Sequence, residues 1–522
     1  NCRTCRHPPR RKPRVPVQPD DEAVADAAGG ARSKTMRMTM KNLGFACCLA
    51  FLALQAGPVH AQVGLEKQVV IEKVDDLQPI IQDLSMELWN FSEIALEEVR
   101  SAQLLADVLE KEGFSVERGV ADMPTAFVAS WGQGSPVIGI LAEYDALPNI
   151  GNAPVPQEQA REDGHPHGQG CGHNLFGAGS VGAAIALKRT MEQFDIPGTV
   201  KLFGSPAEET VVGKVYMANA GVFDGIDITL DWHPFYETFV ANDTGRAMNN
   251  FQVEFFGRAA HGALDPWNGR SALDAVELMN HAVNMMREHI EPSARIHYVI
   301  PDGGEAPNVV PAYAKVWYYV RDDDRPRVLK NYEWMLQIAE AAALATQTTH
   351  KVTLITGVHE LLLNRPLQEA AQANLEYVGA PEFTEEDHSF ARDLQKFVGV
   401  EPLGYPTQVT PLADEVLPVS GGSTDVAEVT RLAPGVSLYV ATAGLDLPWH
   451  SWATSASHGR PNASRGAVVA AKVLALTALD FLLDEDLRVA AKAVFDEEMK
   501  ENPYVSPIPK GQKPILPDSH QH

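Results

Sequence analysis

Four short stretches carry side chains that could meet around one chemical centre: Cys171-Gly172-His173, the pair Glu208-Glu209, His233 before Pro234, and His450 in "PWHSW". Thiolate, imidazole and carboxylate are the donors that zinc and neighbouring divalent metals take. Residues two apart in extended or tightly turned backbone aim the same way, so Cys171 and His173 can grip one centre. Adjacent glutamates point differently. One of Glu208 and Glu209 can therefore bind a metal while the other reaches a bound water as general base.

Two other chemistries fit parts of this pattern. Cys171 could be a thiol nucleophile with His173 as its base. That reading leaves the glutamate pair without a role and leaves a free thiol open to oxidation. The glycines Gly177, Gly179 and Gly182 match a dinucleotide fingerprint, but no strand runs directly into them and no acidic residue ends a second strand at the required distance. They read instead as glycines that let a helix start close to neighbouring backbone.

These residues need a scaffold that gathers strand ends. Gln78 to Glu112 has helical apolar spacing, with Gly113 as a stop. "TAFVASW" and "PVIGILAEYDALP" read as strands, "GAGSVGAAIALKRTMEQFD" as a helix, "GTVKLFGSPAEE" as a strand, "GKVYMANAGVF" as a helix and "DITLDWHP" as a strand. Strands alternating with helices predict an α/β domain with a largely parallel sheet, whose sites collect at strand C-termini. Between 246 and 362 the texture changes to a compact β-α-β-β-α-β pattern, a smaller α+β (ferredoxin-like) insert. The α/β texture then returns through "GVSLYVAT" and the long apolar helix "RGAVVAAKVLALTALDFLL". The expected division is a catalytic domain over 62–245 and 363–490, a lid domain over 246–362, and a loose Pro-rich tail over 491–522.

The N-terminus reads as a leader. Arg37 and Lys41 precede an apolar run from Leu43 to Ala56, and Val59-His60-Ala61 is a small-x-small cleavage site, so 36–61 is expected to be a signal peptide. Residues 1–35 read as a non-native upstream extension. Export to the bacterial periplasm or beyond follows, with no stable membrane anchor after cleavage and no other run expected to span a bilayer. Of five cysteines, only Cys171 lies past the cut, so no internal disulfide is expected and the thiol needs another reason to be there. The formal net charge is −25, and more negative once the basic leader is gone. Such a surface repels nucleic acid and anionic membranes.

Taken in order, "LAEYDALP", "GCGHNLFGAG", "GSPAEET", "DWHP", "GRAAHGALDPWNGRSALDAV", "APNVVPAYAKVWYYVR", "GGSTDV" and "PWHSW" resemble the M20 metallopeptidases. Within them they resemble the amidohydrolase branch that includes aminobenzoyl-glutamate utilisation and indole-3-acetyl-amino-acid hydrolases. The resemblance spans about Leu65 to Leu483. It implies a lid through which the protein forms a homodimer, and a divalent metal centre of two ions per subunit, zinc or manganese. By motif, the ligands would be Cys171, His173, Glu209, His233 and His450, with Glu208 as general base and Asp145 orienting a ligand. His261 would polarise the scissile carbonyl, and Asn308, Ser423, Thr424 and Asp425 would hold substrate. The implied reaction is hydrolysis of the amide of an N-acyl or N-aroyl amino acid. A dipeptide or linear amidine substrate, or a metal-containing binding protein without turnover, are the alternatives. The chain departs from its relatives at Gln169, where they often carry His, with His165 and His167 displaced nearby, at Asn174, where many carry Asp, and at Ser464, where a second C-terminal His is common. His458 competes with the favoured His450 as the last ligand.

Overall fold

The protein is described by a computed structural model over residues 57–419 and 421–517. Its contacts form two units, 1–60 and 61–522, and the fold set out below is that of the second. The upstream extension expected at 1–35 and most of the leader expected at 36–61 lie outside the described residues.

Helix α1 (Gly57–Phe91) and helix α2 (Val99–Lys111) replace the single helix expected over Gln78 to Glu112. The break has a local cause. Ser92 (φ 41) and Leu96 (φ 64) leave the helical region, and two side chains take backbone amides that a continuous helix would have used. Glu93 accepts from Ser101 N at 2.9 Å and Glu98 accepts from Leu96 N at 2.9 Å. The freed segment bridges Ile94 to Ala146.

The chain then forms β1 (Ser115–Arg118), β2 (Phe127–Gln133), β3 (Val137–Ala142), α3 (His173–Phe194), β4 (Gly198–Gly204), α4 (Gly213–Asn219), β5 (Ile228–Phe235) and β6 (Phe239–Val240). A second sheet follows: β7 (Ala247–Phe256), α5 (Ala272–Met286), β8 (Arg295–Asp302), β9 (Tyr313–Asp322), α6 (Arg325–Thr346) and β10 (Thr349–Val358). The chain closes with α7 (Arg365–Val378), α8 (Glu385–Val398), α9 (Val426–Thr430), β11 (Gly435–Ala441), α10 (Trp452–His458), α11 (Ser464–Leu483) and α12 (Glu485–Glu501).

The main sheet runs β1-β2-β4-β3-β5-β11-β6. Its centre, β4-β3-β5-β11, is parallel, and β1, β2 and β6 add antiparallel edges. This is the largely parallel α/β sheet expected from the alternation of strands and helices. Strand β11 arrives after the second sheet and slots in beside β5, so the main sheet needs chain from both sides of the insert. Helices α3 and α11 are buried along nearly their whole length. Gly179 permits their close approach: a Cβ there would come within 2.9 Å of the Trp232 ring and 3.0 Å of Ala467 O. The glycines of the apparent nucleotide fingerprint thus serve helix packing. Helix α11 also corrects an expectation, because Pro461–Leu483 is long and apolar enough to cross a bilayer. Its 78% burial within the protein makes it a core helix of this fold.

The second sheet is antiparallel, ordered β10-β7-β9-β8, with its own apolar core. Strand β9 buries Ala314, Val316, Tyr318 and Val320 against the helices and turns Trp317, Tyr319 and Arg321 to the other face, the period-two alternation of a strand.

The tail is not loose through its described length. Tyr504 Oη donates to Glu428 at 2.8 Å, and Gln512 donates to Tyr216 Oη at 2.9 Å and to Leu354 O at 2.8 Å. Ile508 is buried. Proline-rich chain loses little entropy on docking, and here one apolar anchor and two polar ones hold it.

Candidate metal centre

The parallel strands deliver the side chains. Asp145 follows β3, Glu208 and Glu209 follow β4, His233 lies near the end of β5, and His173 opens α3. Cys171 Sγ lies 3.3 Å from His233 Nε2 and 3.2 Å from His450 Nε2. His450 Nε2 is 3.5 Å from Glu209 Oε2. Cys171, His173 and His233 form one group of donor atoms, Cys171, Glu209 and His450 a second, and Glu143, His173 and Glu208 a third. Cys171 is common to the first two. His450 reaches this arrangement in the left-handed region, at φ 57, a local strain of the kind that collects at functional sites.

The hydrogen bonds fix which atoms face inward. His173 Nδ1 pairs with Asp145 Oδ1 at 2.9 Å and His233 Nδ1 pairs with Pro234 O at 2.7 Å. With both Nδ1 atoms engaged by these oxygens, both Nε2 atoms are turned toward the donor cluster. Among the described residues, His173 Nε2, Glu143 Oε2 and Glu209 Oε1 are buried without a well-formed hydrogen bond, and His173 Nε2 stands 3.2 Å from Glu143 Oε2. Buried donor atoms crowded together are costly, and either a proton on His173 facing Glu143 or a divalent cation among the donors relieves that cost. The residues present therefore fit a metal centre, with Asp145 orienting His173 from behind.

The electrostatics are those of a buried, negatively charged pocket. Burial, then the Glu209 carboxylate, push the Cys171 thiol up. Burial, then the Glu143 carboxylate, raise Glu208 to about 7. Burial, with the charge of His173 nearby, lowers His233 to about 3, so its imidazole is neutral and able to ligate. For His173, burial opposes the charged form, but Cys171, Asp145 and Glu143 outweigh it.

The remaining expected residues are placed as follows. His458 is fully buried, with Nδ1 on Gln169 O at 2.7 Å and Nε2 against Thr442 Oγ1 at 3.1 Å. Both nitrogens are thus spent on structure, while His450 Nε2 faces Cys171 Sγ and Glu209 Oε2. His165 and His167 pack edge to face and join none of the three donor groups. Asp425 is buried and takes Lys214 Nζ at 2.7 Å and Lys214 N at 2.8 Å, so it anchors its loop internally and does not offer a free carboxylate to a ligand. Thr424 Oγ1 accepts from Val426 N. Ser423 Oγ is buried without a partner. His261 and Asn308 meet on the second sheet's loops, through a bridge from His261 to Val309 and Gly262 N to Asn308 O at 2.8 Å. Among the described residues, neither makes a hydrogen bond or ion pair with the donor cluster.

Three residues went unnoticed in the sequence. Glu143 Oε1 and Asp425 Oδ1 flank Lys214 Nζ at 2.6 and 2.7 Å, all three side chains being at most 1% exposed. The signal was a single lysine in an otherwise apolar helix, and polar residues two apart in "EYD". The third is Arg321, on the face of β9 turned from its own helices. Its Nε is buried without a partner, and no carboxylate pairs with its guanidinium among the described residues. Burial lowers its pKa, while Glu208 is near enough to favour its charge.

A largely parallel sheet, a cluster of metal-type donors beside it and an antiparallel insert together fit the architecture of a family of amide and peptide hydrolases. The chain belongs to peptidase family M20/M25/M40, whose profile matches residues 139–446, and it is a hydrolase of amide or peptide bonds. It is 37% identical over 460 residues to a polypeptide of the p-aminobenzoyl-glutamate hydrolase of Escherichia coli (strain K12), covering 83% of this chain and 95% of that protein. It is 30% identical over 460 residues to Xaa-Arg dipeptidase of Mus musculus, covering 84% and 94%. The fold matches a putative aminohydrolase from methicillin resistant Staphylococcus aureus at TM-score 0.57 and 17% identity, over 80% of this chain and all of that one. It also matches aminobenzoyl-glutamate utilization protein from Klebsiella pneumoniae at TM-score 0.53 and 17% identity, over 78% and 97%.

Proposed function

We propose that the protein is a metal-dependent amidohydrolase that splits an N-acyl or N-aroyl amino acid into its acid and its free amino acid. The observation that carries this reading is an arginine near the donor cluster that has no carboxylate partner among the described residues. Arg321 and Ser423 both keep buried polar atoms without partners, and Arg321 lies within reach of the field of Glu208. An arginine held this way suits the free carboxylate of an amino acid. The similarity to the Escherichia coli p-aminobenzoyl-glutamate hydrolase supports an aroyl group on the other side of the amide. A dipeptide is the second reading, favoured by the similarity to Xaa-Arg dipeptidase.

Cys171, His173 and His233 would hold one ion and Cys171, Glu209 and His450 another, zinc or manganese. Bound there, such ions supply Lewis acidity toward the amide carbonyl and toward water. Glu208 removes the proton from the attacking water and returns it to the departing nitrogen, so that a C–O bond forms as the C–N bond breaks. Arg321 and Ser423 fix the carboxylate end. His261 donates to the carbonyl oxygen once lid movement or a second copy of the chain brings it to the centre. The homodimer and export to the periplasm or beyond, with cleavage after Ala61, belong to the same proposal.

The test is turnover of p-aminobenzoyl-glutamate and a panel of N-acyl amino acids, followed by mass spectrometry, with zinc- or manganese-loaded protein. Cleavage by wild type, lost in Glu208→Gln at unchanged metal content, is the expected result. Full activity in Glu208→Gln, or no cleavage of any carboxylate-bearing amide by wild type, would overturn it.

A further inference from the structure

The loop that carries Glu208 and Glu209 is tied down on both sides by carboxylates. Asp145 Oδ2 accepts from Glu209 N at 2.9 Å, while its Oδ1 holds His173. On the other side Glu98 Oε1 accepts from Ala207 N at 2.9 Å. The same oxygen takes Leu96 N at 2.9 Å, and Oε2 takes Thr125 Oγ1 at 3.0 Å. Glu98 is fully buried, so these bonds are not shared with water. Ala207 sits at φ 58, ψ 36, in the left-handed region, which costs a non-glycine residue about 1 kcal/mol. Val211, at the other end of the short turn, is also left-handed at φ 52. A turn with an unfavourable residue at each end needs external fixing to stay in one geometry.

We propose that Glu98 is a positioning residue for this hydrolase: its carboxylate pins Ala207 N and thereby sets where the carboxylates of Glu208 and Glu209 stand relative to Cys171 and His173. The inference rests on the proposed roles of Glu208 and Glu209. It also gives the helix break between α1 and α2 a purpose. A continuous helix would carry residue 98 along its own axis, whereas the break brings the side chain to the strand-end loop 109 residues away in sequence. Glu98 touches no donor atom of the cluster itself. Its influence passes through one backbone amide, and the amide two residues further on is held by Asp145. Loosening one of the two ties lets the turn pivot on the other, and this moves the general base and a ligand together.

The test compares Glu98→Ala, Glu98→Asp and Glu98→Gln with wild type. Gln keeps an acceptor oxygen at the same reach. Asp keeps the carboxyl group and shortens the arm, so that it cannot serve Leu96 N and Ala207 N together, and it stands in if the Ala variant does not fold. With zinc loaded, Ala and Asp lower kcat by about 10- to 100-fold, the range of outer-shell substitutions, with KM within about threefold, while Gln stays within about threefold of wild type in both. Without any substrate, Co(II) competition against a chromophoric chelator weakens by about tenfold in Ala and Asp and recovers in Gln. Glu428→Gln, a buried carboxylate that serves His359 and Tyr504, is the control for general destabilisation. Unchanged kcat and Co(II) affinity in Glu98→Asp, or an equal loss in Glu428→Gln, overturns the proposal. If wild type cleaves no amide, the proposed function fails and the cobalt measurement still decides the role of Glu98.

Discussion

Cys171 and His450, 279 residues apart, meet with Sγ 3.2 Å from Nε2. The same sulfur is 3.3 Å from His233 Nε2, so one thiol joins two donor groups that draw on chain before and after the insert. The donors are consequently unequal to mutation. Cys171→Ala is expected to lose metal from both positions, whereas His233→Ala loses about half the content, because only one group contains it. Inductively coupled plasma mass spectrometry of dialysed protein reads this directly. A Cys171→Ala protein that keeps its full metal content would contradict the shared thiol.

Behind the donors, Lys214 is held between two buried carboxylates, Glu143 and Asp425. Burial raises both acids, and Lys214, which those carboxylates keep charged against its own burial, is what compensates them. Removing the cation strands two acids in the interior. Lys214→Met is therefore expected to cost about 3–5 kcal/mol, the range for breaking a buried pair, visible as a lower urea midpoint at unchanged m-value. The double variant Lys214→Met with Asp425→Asn should recover part of that loss. If the double variant is as unstable as the sum of its parts, the pair is not coupled as described.

The donors were legible in the sequence because their types are rare and their spacing is local: Cys171 with His173 at the start of α3, and Glu208 with Glu209 after β4, sit in single turns, although the strand end expected for the first pair is a helix start. The largely parallel sheet was legible from alternation, and the insert from its change of texture. What stayed hidden depends on contacts between distant segments. The break at Ser92 arises from Glu93 and Glu98, which lie inside a helical apolar pattern and only on folding take Ser101 N and Leu96 N. Asp425 looked like a loop residue open to substrate because nothing local announces Lys214. The tail looked loose because its anchors, Glu428 and the backbone of β10, lie far away in sequence. Arg321 falls on the polar side of an alternating strand, where its lack of a carboxylate partner among the described residues shows only in three dimensions.

The loop before Cys171 carries its own pH-dependent clasp. Arg161 reaches Trp89 O at 2.9 Å, Asn90 O at 3.0 Å and Asp163 Oδ1 at 3.0 Å, with its guanidinium over the Trp89 ring. The hydrogen bond from Arg161 holds the Asp163 carboxyl down at about 2. A depressed acid stabilises the fold above its unfolded pKa of about 4 and stops doing so as pH falls through 2. Asp163 is half exposed, so screening limits the gain to about 1 kcal/mol or less. The stability difference between wild type and Asp163→Asn should be present at pH 7, shrink below about pH 4 and vanish near pH 2. A difference that stays constant across that range would count against the clasp.

Arg321 gives the sharpest check on substrate class. Its guanidinium has no carboxylate partner among the described residues, and it lies on the second sheet's open face beside the loop of Gly422 and Ser423. If it receives the free carboxylate of the substrate, Arg321→Met removes a charge-assisted bond worth about 1.5–3 kcal/mol, or roughly 10- to 150-fold in kcat/KM. The loss should fall mainly on KM, because the carboxylate is bound equally in ground and transition states. Arg321→Lys should recover only part, since an ammonium cannot present a two-pronged donor. The decisive comparison is p-aminobenzoyl-glutamate against the same compound with its α-carboxylate converted to a primary amide. Wild type should favour the carboxylate strongly, and Arg321→Met should barely distinguish the two. An undiminished preference in Arg321→Met would place carboxylate recognition elsewhere.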